Sequence, residues 1–173
     1  MKVVTVLDVE NTTIKRNNKL MLDPFEAENS LTMVGMLNHS GEKIITFDHS
    51  EQQPTTEGGS IVQNILDDTH LLVMQNAIHD LTWLWESGFN YTGDIFDTML
   101  GAYIIQRGQK EPLSLEYLAE RYKCDTQKMG TLKDYFNKGY TTRDIPHAEL
   151  SQYLSADLHA TMELYKKLDD KLT

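Results

Sequence analysis

The sequence predicts an α/β domain, with helices packed against a mixed β-sheet. Short apolar, β-branched runs typical of buried strands are concentrated in the first half of the chain. Apolar residues at helical spacing dominate the second half. A turn-like Ser40-Gly41 step between two of the predicted strands indicates an antiparallel meander at the start of the sheet. With 173 residues, the chain is predicted to form a single domain over residues 1–173.

Each predicted strand is a short apolar run bounded by polar or turn-forming residues. The four strands are predicted at residues 3–7, 31–37, 43–47 and 71–74. The polar stretch 11–29 is predicted to be a loop or a short extended arm. Proline and glycine residues indicate a surface loop over 52–60, and residues 61–66 then have helical spacing.

The predicted helices are delimited by capping residues and by apolar stripes. Asn76 is a favourable N-cap for a helix over 77–85, and Asp97 for a helix that reaches residue 105. Leu115 to Tyr122 repeat the apolar spacing, whereas residues 125–144 are predicted to be mostly loop, with a short turn near 132–136. Pro146 suits the first turn of a last helix that extends to about residue 168.

The composition is ordinary for a globular protein, with 40% hydrophobic and 24% charged residues. No apolar run approaches the ~20 residues needed to cross a bilayer, so we expect no membrane segment. Cys124 is the only cysteine, which excludes an internal disulfide and favours a reducing, cytoplasmic location.

The formal net charge of −10 disfavours extended, salt-driven binding along a nucleic-acid backbone. It does not exclude an enzyme that holds one strand end at a metal-bearing site, because bound metal would cancel part of the charge. We therefore expect weak, salt-sensitive substrate binding, or delivery of the substrate by a partner.

Four acidic residues and a tyrosine occur at three places where a fold could gather them. Asp8 and Glu10 end the first predicted strand, and their spacing of two points both carboxylates to one side. Asp80 follows the fourth strand, and Tyr153 and Asp157 are one helical turn apart. Clustered carboxylates repel each other unless a cation offsets them, and Mg²⁺ and Mn²⁺ prefer oxygen ligands. The pattern predicts a metal-dependent enzyme of phosphoryl transfer.

The whole set resembles the DEDD superfamily of 3′–5′ exonucleases, also called DnaQ-like. The tyrosine four residues before the last aspartate points to the DEDDy branch, which includes the proofreading domain of DNA polymerase I. The segments DTMLGAYIIQR and PLSLEYLAERY are similar to the helices after the second acidic motif in that family. NKGYTTRDIPHAELSQYLSADLHATMELYKKL is similar to the approach to the third motif, with a phage-like character. The resemblance implies a ribonuclease-H-like fold.

By this resemblance, Asp8, Glu10 and Asp157 hold one divalent ion, Mg²⁺ or Mn²⁺. Asp8 also bridges to a second ion supported by Asp80, and Tyr153 hydrogen-bonds the attacking water. The implied reaction is two-metal-ion hydrolysis of DNA from a single-stranded 3′ end or a frayed duplex end, with release of nucleoside 5′-monophosphates. The implied setting is proofreading or DNA-end processing, with a DNA polymerase or replication protein as a possible partner, in the cytoplasm or in a host cytoplasm if phage-encoded.

Further positions are candidates for substrate contact. Where relatives touch the terminal nucleotide this chain carries Asn11 and Thr12, near the sugar or phosphate, and Ile14, against the last base. Asn76 either holds the strand backbone or caps a helix, and the cap is favoured. His79 is predicted to pack, and Asp97 to cap a helix without binding metal.

Two alternatives stay open at this point. The same acids would serve an RNA exonuclease similar to ribonuclease D, and only matched DNA and RNA substrates would separate the two. A non-catalytic module that binds nucleic acid or a polymerase is the other alternative. It is disfavoured because all five catalytic positions are present.

Overall fold

The computed structural model describes residues 1–22, 24–47, 54–124, 131–140, 142 and 144–173, with the backbone only at 131–133. The strands are β1 (Val4–Asn11), β2 (Ile14–Arg16), β3 (Lys19–Met21), β4 (Leu31–Asn38), β5 (Gly41–Thr46), β6 (Leu71–Met74) and β7 (Asp94–Asp97). The helices are α1 (Glu57–Asp68), α2 (Ala77–Glu86), α3 (Thr98–Gln106), α4 (Leu115–Arg121), α5 (Thr131–Asn137) and α6 (His147–Leu172).

Five strands form one mixed sheet in the order β5-β4-β1-β6-β7. The pairs β5–β4 and β4–β1 are antiparallel, whereas β1–β6 and β6–β7 are parallel. The predicted α/β fold, with its antiparallel meander followed by helices, is therefore confirmed. β1 lies at the centre of the sheet, where both of its neighbours can position the residues at its carboxyl end.

The two faces of β1 bury against different helices. Leu7 and Val9 belong to a core cluster with residues of α1 and α2. Val6 instead packs with Val73 and with Leu158 of α6. Because side chains alternate along a strand, Asp8 and Glu10 point to the same side as Val6, towards α6. The core thus turns both acidic side chains towards the longest helix.

Gly35 allows α6 to lie close to the sheet at the level of Asp8. Gly35 of β4 pairs directly with Asp8 of β1. A Cβ atom at Gly35 would lie 2.8 Å from Leu158 Cδ1 and 2.9 Å from Leu154 Cγ. Both leucines flank Asp157 on α6, so a side chain at Gly35 would push this part of the helix away from β1.

We expect Gly35→Ala to destabilise the protein by about 1–3 kcal/mol, because overpacking displaces α6. Urea unfolding measures this change, and a weaker thermal stabilisation by Mn²⁺ should accompany it. Gly101→Ala is the matched control, since the nearest atom to its Cβ would be Phe96 Cζ at 3.3 Å. Equal losses of stability in both variants would contradict this role of Gly35.

Several elements differ from the sequence predictions. The polar stretch 11–29 contains the β2–β3 hairpin, which is stabilised by the left-handed residues Asn17 and Asn18. β7 was not predicted, and α1 begins at Glu57 inside the expected loop because Thr56 accepts a hydrogen bond from the Gly59 amide. α5 is one residue longer at each end than the expected turn, and α6 ends about one turn later than expected, at Leu172. The predictions at residues 52–53 and 125–130 lie outside the described residues. Within the described ranges, no helix has the length and apolar character of a membrane span.

Candidate active site

The carboxylates predicted at three places in the sequence meet at the carboxyl end of β1. Asp8, Glu10 and Asp157 each place an oxygen within 4.8 Å of the others. Asp8 and Glu10 lie near the end of β1, and Asp157 lies in the middle of α6. A strand and a helix that are far apart in the chain thus build one oxygen-rich site.

Asp80 lies beside this group without being part of the three-residue cluster. It is in the first turn of α2, and only 2% of its surface is exposed. Burial raises the pKa of Asp80 well above its ordinary value, and the nearby charges of Asp8 and Glu10 raise it further. The fourth predicted acid therefore belongs to the same electrostatic site, at its edge.

Burial raises the pKa values of all four carboxyl groups, and repulsion from neighbouring acids raises those of Glu10, Asp80 and Asp157 further. The pKa of Asp8 rises to about 7 because of burial, with a small opposing effect from the Val9 amide. The pKa of Asp157 rises to about 8 because of burial and the charge of Asp8. Burial, followed by Asp8 and Asp157, raises the pKa of Glu10 well above its ordinary value. Near neutral pH, the site therefore favours protons or other cations over bare carboxylates.

The donor set fits a hard divalent cation. Asp80 Oδ2 and Asp157 Oδ1 are buried without a hydrogen-bond partner among the described residues. None of the ion pairs found in the described part of the chain involves these acids. Buried carboxylate oxygens that are left without partners are costly, and an oxygen-seeking ion such as Mg²⁺ or Mn²⁺ would satisfy them.

Tyr153 lies one helical turn before Asp157 and faces the same site. It is half-buried, and burial followed by the charges of Asp157 and Glu10 raises the pKa of its hydroxyl. The hydroxyl therefore stays protonated at neutral pH. It can orient a polar group at the site but cannot act as a base there.

Asp97 holds the helix that carries Asp80. Its Oδ1 accepts hydrogen bonds from the amides of Asn76 at 3.0 Å and Met99 at 2.9 Å, and its Oδ2 accepts one from the Ala77 amide at 3.0 Å. One carboxylate thus caps both α2 and α3, whose first residues are separated by β7. The predicted capping role of Asp97 is correct but covers only half of what it does.

The preferred role of Asn76 as a side-chain cap is wrong. Its backbone is left-handed, with φ 64° and ψ 68°, and its side chain makes no capping hydrogen bond. Asparagine tolerates this conformation, which turns the chain from β6 into α2. The carboxylate of Asp97 takes over the capping function.

Asp97→Ala removes the cap of two helices and should destabilise the protein by about 1–4 kcal/mol, since one cap is worth about 0.5–2 kcal/mol. Ser114→Ala is the control, because Ser114 caps α4 alone through the Tyr117 amide. Urea denaturation of both variants measures the difference. A loss in Asp97→Ala no larger than that in Ser114→Ala would contradict the double cap.

The predicted substrate-contact residues surround the acids, but most of their polar atoms are engaged within the protein. Asn11 Nδ2 donates to the carbonyls of Thr12 and Leu22, and its Oδ1 accepts from His79 Nε2 at 3.0 Å. The Thr12 hydroxyl accepts from the Ser30 amide at 2.8 Å. His79 therefore does more than pack, since it joins α2 to the end of β1.

Ile14 follows Glu10 in the sequence, and Asn76 precedes Asp80. Ile14 is half-buried on β2, where it pairs with Met21. Asn76 precedes α2 and is exposed, and its side chain makes no capping hydrogen bond. Contact of Asn11, Thr12, Ile14 and Asn76 with substrate stays a prediction.

Two site-forming residues could not be identified from the sequence. Thr142 donates to the carbonyl of Asn11 at 2.8 Å and pairs with Thr32 at 3.1 Å, which fixes the segment before α6 against β1. Gly35 shapes the sheet beneath α6. A threonine in a polar segment and a glycine in an apolar strand carry no distinctive local pattern, so no signal in the sequence marks either one.

Solved structures with the same architecture define the class of the fold as ribonuclease-H-like. Ribonuclease D of Trypanosoma brucei in complex with GMP matches with a TM-score of 0.68 and 15% identity, over 95% of this chain and 50% of that one. NrnC of Brucella melitensis with bound Mg²⁺ matches with a TM-score of 0.64 and 16% identity, over 98% of this chain and 73% of that one. At such identities the similarity shows the fold alone, and it confirms the predicted class.

The chain belongs to the 3′–5′ exonuclease family of hydrolytic nucleases, whose family model matches residues 21–173. Among its relatives, DNA polymerase I of Borreliella burgdorferi is 30% identical over 109 residues, which are 63% of this chain and 12% of that protein. The chain thus spans about a tenth of the length of the curated relatives that it matches. The family match begins after Asp8 and Glu10, so it is the geometry of the fold that joins these two acids to the site.

Proposed function

We propose that the chain removes nucleotides one at a time from the 3′ end of single-stranded or frayed DNA, with two bound divalent ions, Mg²⁺ or Mn²⁺. The observation that carries this proposal is the convergence of Asp8, Glu10 and Asp157 at one end of the central strand, beside the unpartnered buried oxygens of Asp80 and Asp157. A similar domain in much longer DNA polymerase I relatives supports DNA as the substrate.

The residues divide the work according to their positions. Asp8, Glu10 and Asp157 would hold one ion, and Asp8 with Asp80 would hold the other. When bound, such ions supply positive charge to the phosphate and lower the pKa of water. The carboxylates fix where that charge lies, and the close packing of α6 on the sheet keeps them in place.

Tyr153 would orient the attacking water. Its hydroxyl stays protonated, because its neighbours are acids and it is half-buried. In the reaction, the water oxygen forms a bond to phosphorus, and the bond from phosphorus to the 3′ oxygen of the preceding nucleotide breaks. The product is a nucleoside 5′-monophosphate and a strand one nucleotide shorter.

The direct test measures release of mononucleotides from a 3′-labelled single-stranded oligonucleotide. We expect release with Mg²⁺ or Mn²⁺ and none after EDTA treatment. Matched DNA and RNA strands, and duplexes with paired or mismatched ends, identify the preferred substrate. A preference for RNA would favour the alternative similar to ribonuclease D, because the acids act on a phosphate that both polymers share. No mononucleotide from any strand would refute the proposal.

Tyr153→Phe should lower kcat by about 10- to 100-fold, the loss typical of an orienting partner near a metal site, and leave the metal-induced stabilisation intact, because only the hydroxyl is removed. Single-turnover kinetics and Mn²⁺ thermal shifts measure the two effects. Tyr165→Phe, further along the same helix, is the control and should retain full activity. A wild-type rate for Tyr153→Phe would remove the tyrosine from the mechanism.

The setting of the reaction is part of the same proposal. We expect residues 1–173 to act as a single exonuclease domain in the cytoplasm. The net charge of −10 supports delivery of the strand by a DNA polymerase or another replication protein. If no metal-dependent hydrolysis is found, thermal unfolding with Mn²⁺ still distinguishes the two cases. A chain with a metal site is stabilised by Mn²⁺, whereas a non-catalytic binding module without one shows no shift.

A further inference from the structure

A groove at the end of the sheet opposite to the acids combines an apolar floor with a basic rim. It has a volume of about 390 Å³ and is lined by residues from the start of β1, the end of β4 and the second half of α6. Val4, at the groove, begins β1. Asp8 and Glu10 follow about 13 and 20 Å along the strand, at ~3.3 Å per residue. The groove is therefore separate from the acidic site.

The floor of the groove is apolar and continuous with the core. Its partly buried lining residues include Val4, Leu37, Met162 and Tyr165. All four pack against the buried cluster that joins β1 and β6 to α6. The ring of Tyr165 is fixed by an edge-to-face contact with Phe96, with the ring centroids 5.0 Å apart. A floor that is already formed can accept an apolar side chain without first being ordered.

The rim of the groove is basic. Its exposed polar residues are Lys2, His39, His159 and Lys166. Among the described residues that line the groove, none is Asp or Glu. Two acids lie beside it: Glu42, 3.6 Å from His159, and Asp169, whose charge adds to burial in raising the pKa of the Tyr165 hydroxyl. Neither lysine forms an ion pair with a described residue, so both lysine charges are available to a ligand.

This local charge is opposite in sign to that of the whole chain. The chain has 26 Asp and Glu residues against 16 Lys and Arg residues. Most of the surface therefore repels an acidic partner, whereas the lysines of the groove attract one. Charge of this kind sets where and in which orientation a partner can bind.

A second depression extends the basic surface beyond His39. Its volume is about 460 Å³, and it shares Asn38 and His39 with the groove. It adds Lys43 and His70, and Asp68 is the acid among its described lining residues. Two adjoining depressions suit an extended segment of several residues better than a single small ligand.

The lining favours an acidic peptide over a nucleic acid. Arginine is the usual residue for recognition of phosphate, and neither depression has one among its described lining residues. The floor is mainly aliphatic, whereas unpaired bases bind by stacking on aromatic rings. A segment with a large apolar side chain between carboxylates matches both the floor and the rim.

We propose that this groove docks an acidic peptide segment of a partner protein, with one large apolar side chain on the floor and flanking carboxylates at Lys2 and Lys166. Binding here does not depend on hydrolysis by the chain. It also leaves the acids free, because the two sites lie at opposite ends of β1. A partner held in this way could deliver a strand end to the acidic site.

The test measures the fluorescence anisotropy of a labelled peptide in which a central Phe-Leu pair is flanked by Asp and Glu. The wild-type chain should bind it, and Lys2→Glu combined with Lys166→Glu should weaken binding by at least about 5-fold, because two exposed attractions become repulsions. Replacing the Phe-Leu pair with two serines should weaken binding by roughly 10-fold or more. Lys110→Glu combined with Lys171→Glu is the matched control, since it changes the net charge equally at exposed lysines outside both depressions.

Three results would overturn the inference. The first is a wild-type chain that does not bind the peptide. The second is equal weakening in the two double variants, or no effect of the serine replacement, since either would show general charge attraction without a groove. The third is a single-stranded oligonucleotide, or a second copy of the chain detected by sedimentation, whose binding depends on Lys2 and Lys166 while that of the peptide does not. If the double variant does not fold, Lys166→Glu alone takes its place with the same expected direction.

The proposed function is tested separately on the same proteins. The Lys2 and Lys166 variant should release mononucleotides at the wild-type rate, because both residues lie away from the acids. A chain that releases mononucleotides but does not bind the peptide contradicts only the docking groove. A chain that binds the peptide but releases no mononucleotide contradicts only the proposed function.

Discussion

Replacing Asp157 with asparagine should abolish nucleotide release and, at the same time, make the metal-free protein more stable. The activity should fall by at least about 10²-fold, because one ligand of the catalytic charge is lost. The stability in EDTA at pH 8 should rise by roughly 2 kcal/mol or more, because a buried carboxyl group with a raised pKa no longer has to ionise. Hydrolysis of a 3′-labelled strand and urea unfolding measure the two effects.

The opposite signs of these two effects are what distinguish a metal site from a structural cluster. Asp170→Asn, on the exposed surface of the same helix, is the control and should change neither quantity. If Asp157→Asn destabilised the EDTA-treated protein, its carboxylate would have an unrecognised favourable partner. In that case the electrostatic account of the site would be wrong.

The second large effect is a dependence of the free energy of unfolding on pH, which bound metal should reverse. In the folded chain the pKa of Asp8 rises from 3.8 to about 7 and that of Asp157 from 3.8 to about 8. Between the ordinary pKa of 3.8 and these raised values, the folded state binds more protons than the unfolded state. The stability of the folded state therefore falls as the pH rises. In EDTA the free energy of unfolding should drop by at least about 2 kcal/mol between pH 5 and pH 8.

Divalent ions compete with these protons, so their stabilising effect should be larger at pH 8 than at pH 5. Thermal unfolding in EDTA and in Mn²⁺ across this range measures the difference. The double variant Asp8→Asn with Asp157→Asn should flatten both curves. A metal-free protein that becomes more stable from pH 5 to pH 8 would contradict the raised pKa values.

The sequence was sufficient for four of the five strands of the main sheet and for the acidic set, because each depends on strong local patterns. The apolar runs of β1, β4 and β6 are strongly β-forming, and the spacing of two between Asp8 and Glu10 has a direct meaning on a strand. The long amphipathic α6 likewise places Tyr153 and Asp157 on one face. Convergence in space followed once these elements were arranged in the predicted order.

Other elements depend on tertiary contacts that no local pattern records. β7 has only two apolar residues between two aspartates, and parallel pairing with β6 makes it a strand. The sequence around Asn76 suggested a capping side chain, but the cap is provided by Asp97, which is distant in the chain. The β2–β3 hairpin was also missed, because its polar turn resembles a loop.

The site exists only when the two ends of the chain have come together. Asp8 is contributed by the first strand and Asp157 by the last helix, and Gly35 lets that helix pack closely on the sheet. A partly folded copy in which α6 has not packed on the sheet therefore lacks the gathered acids. Any hydrolysis that depends on these acids is thus restricted to molecules in which the last helix has packed on the sheet.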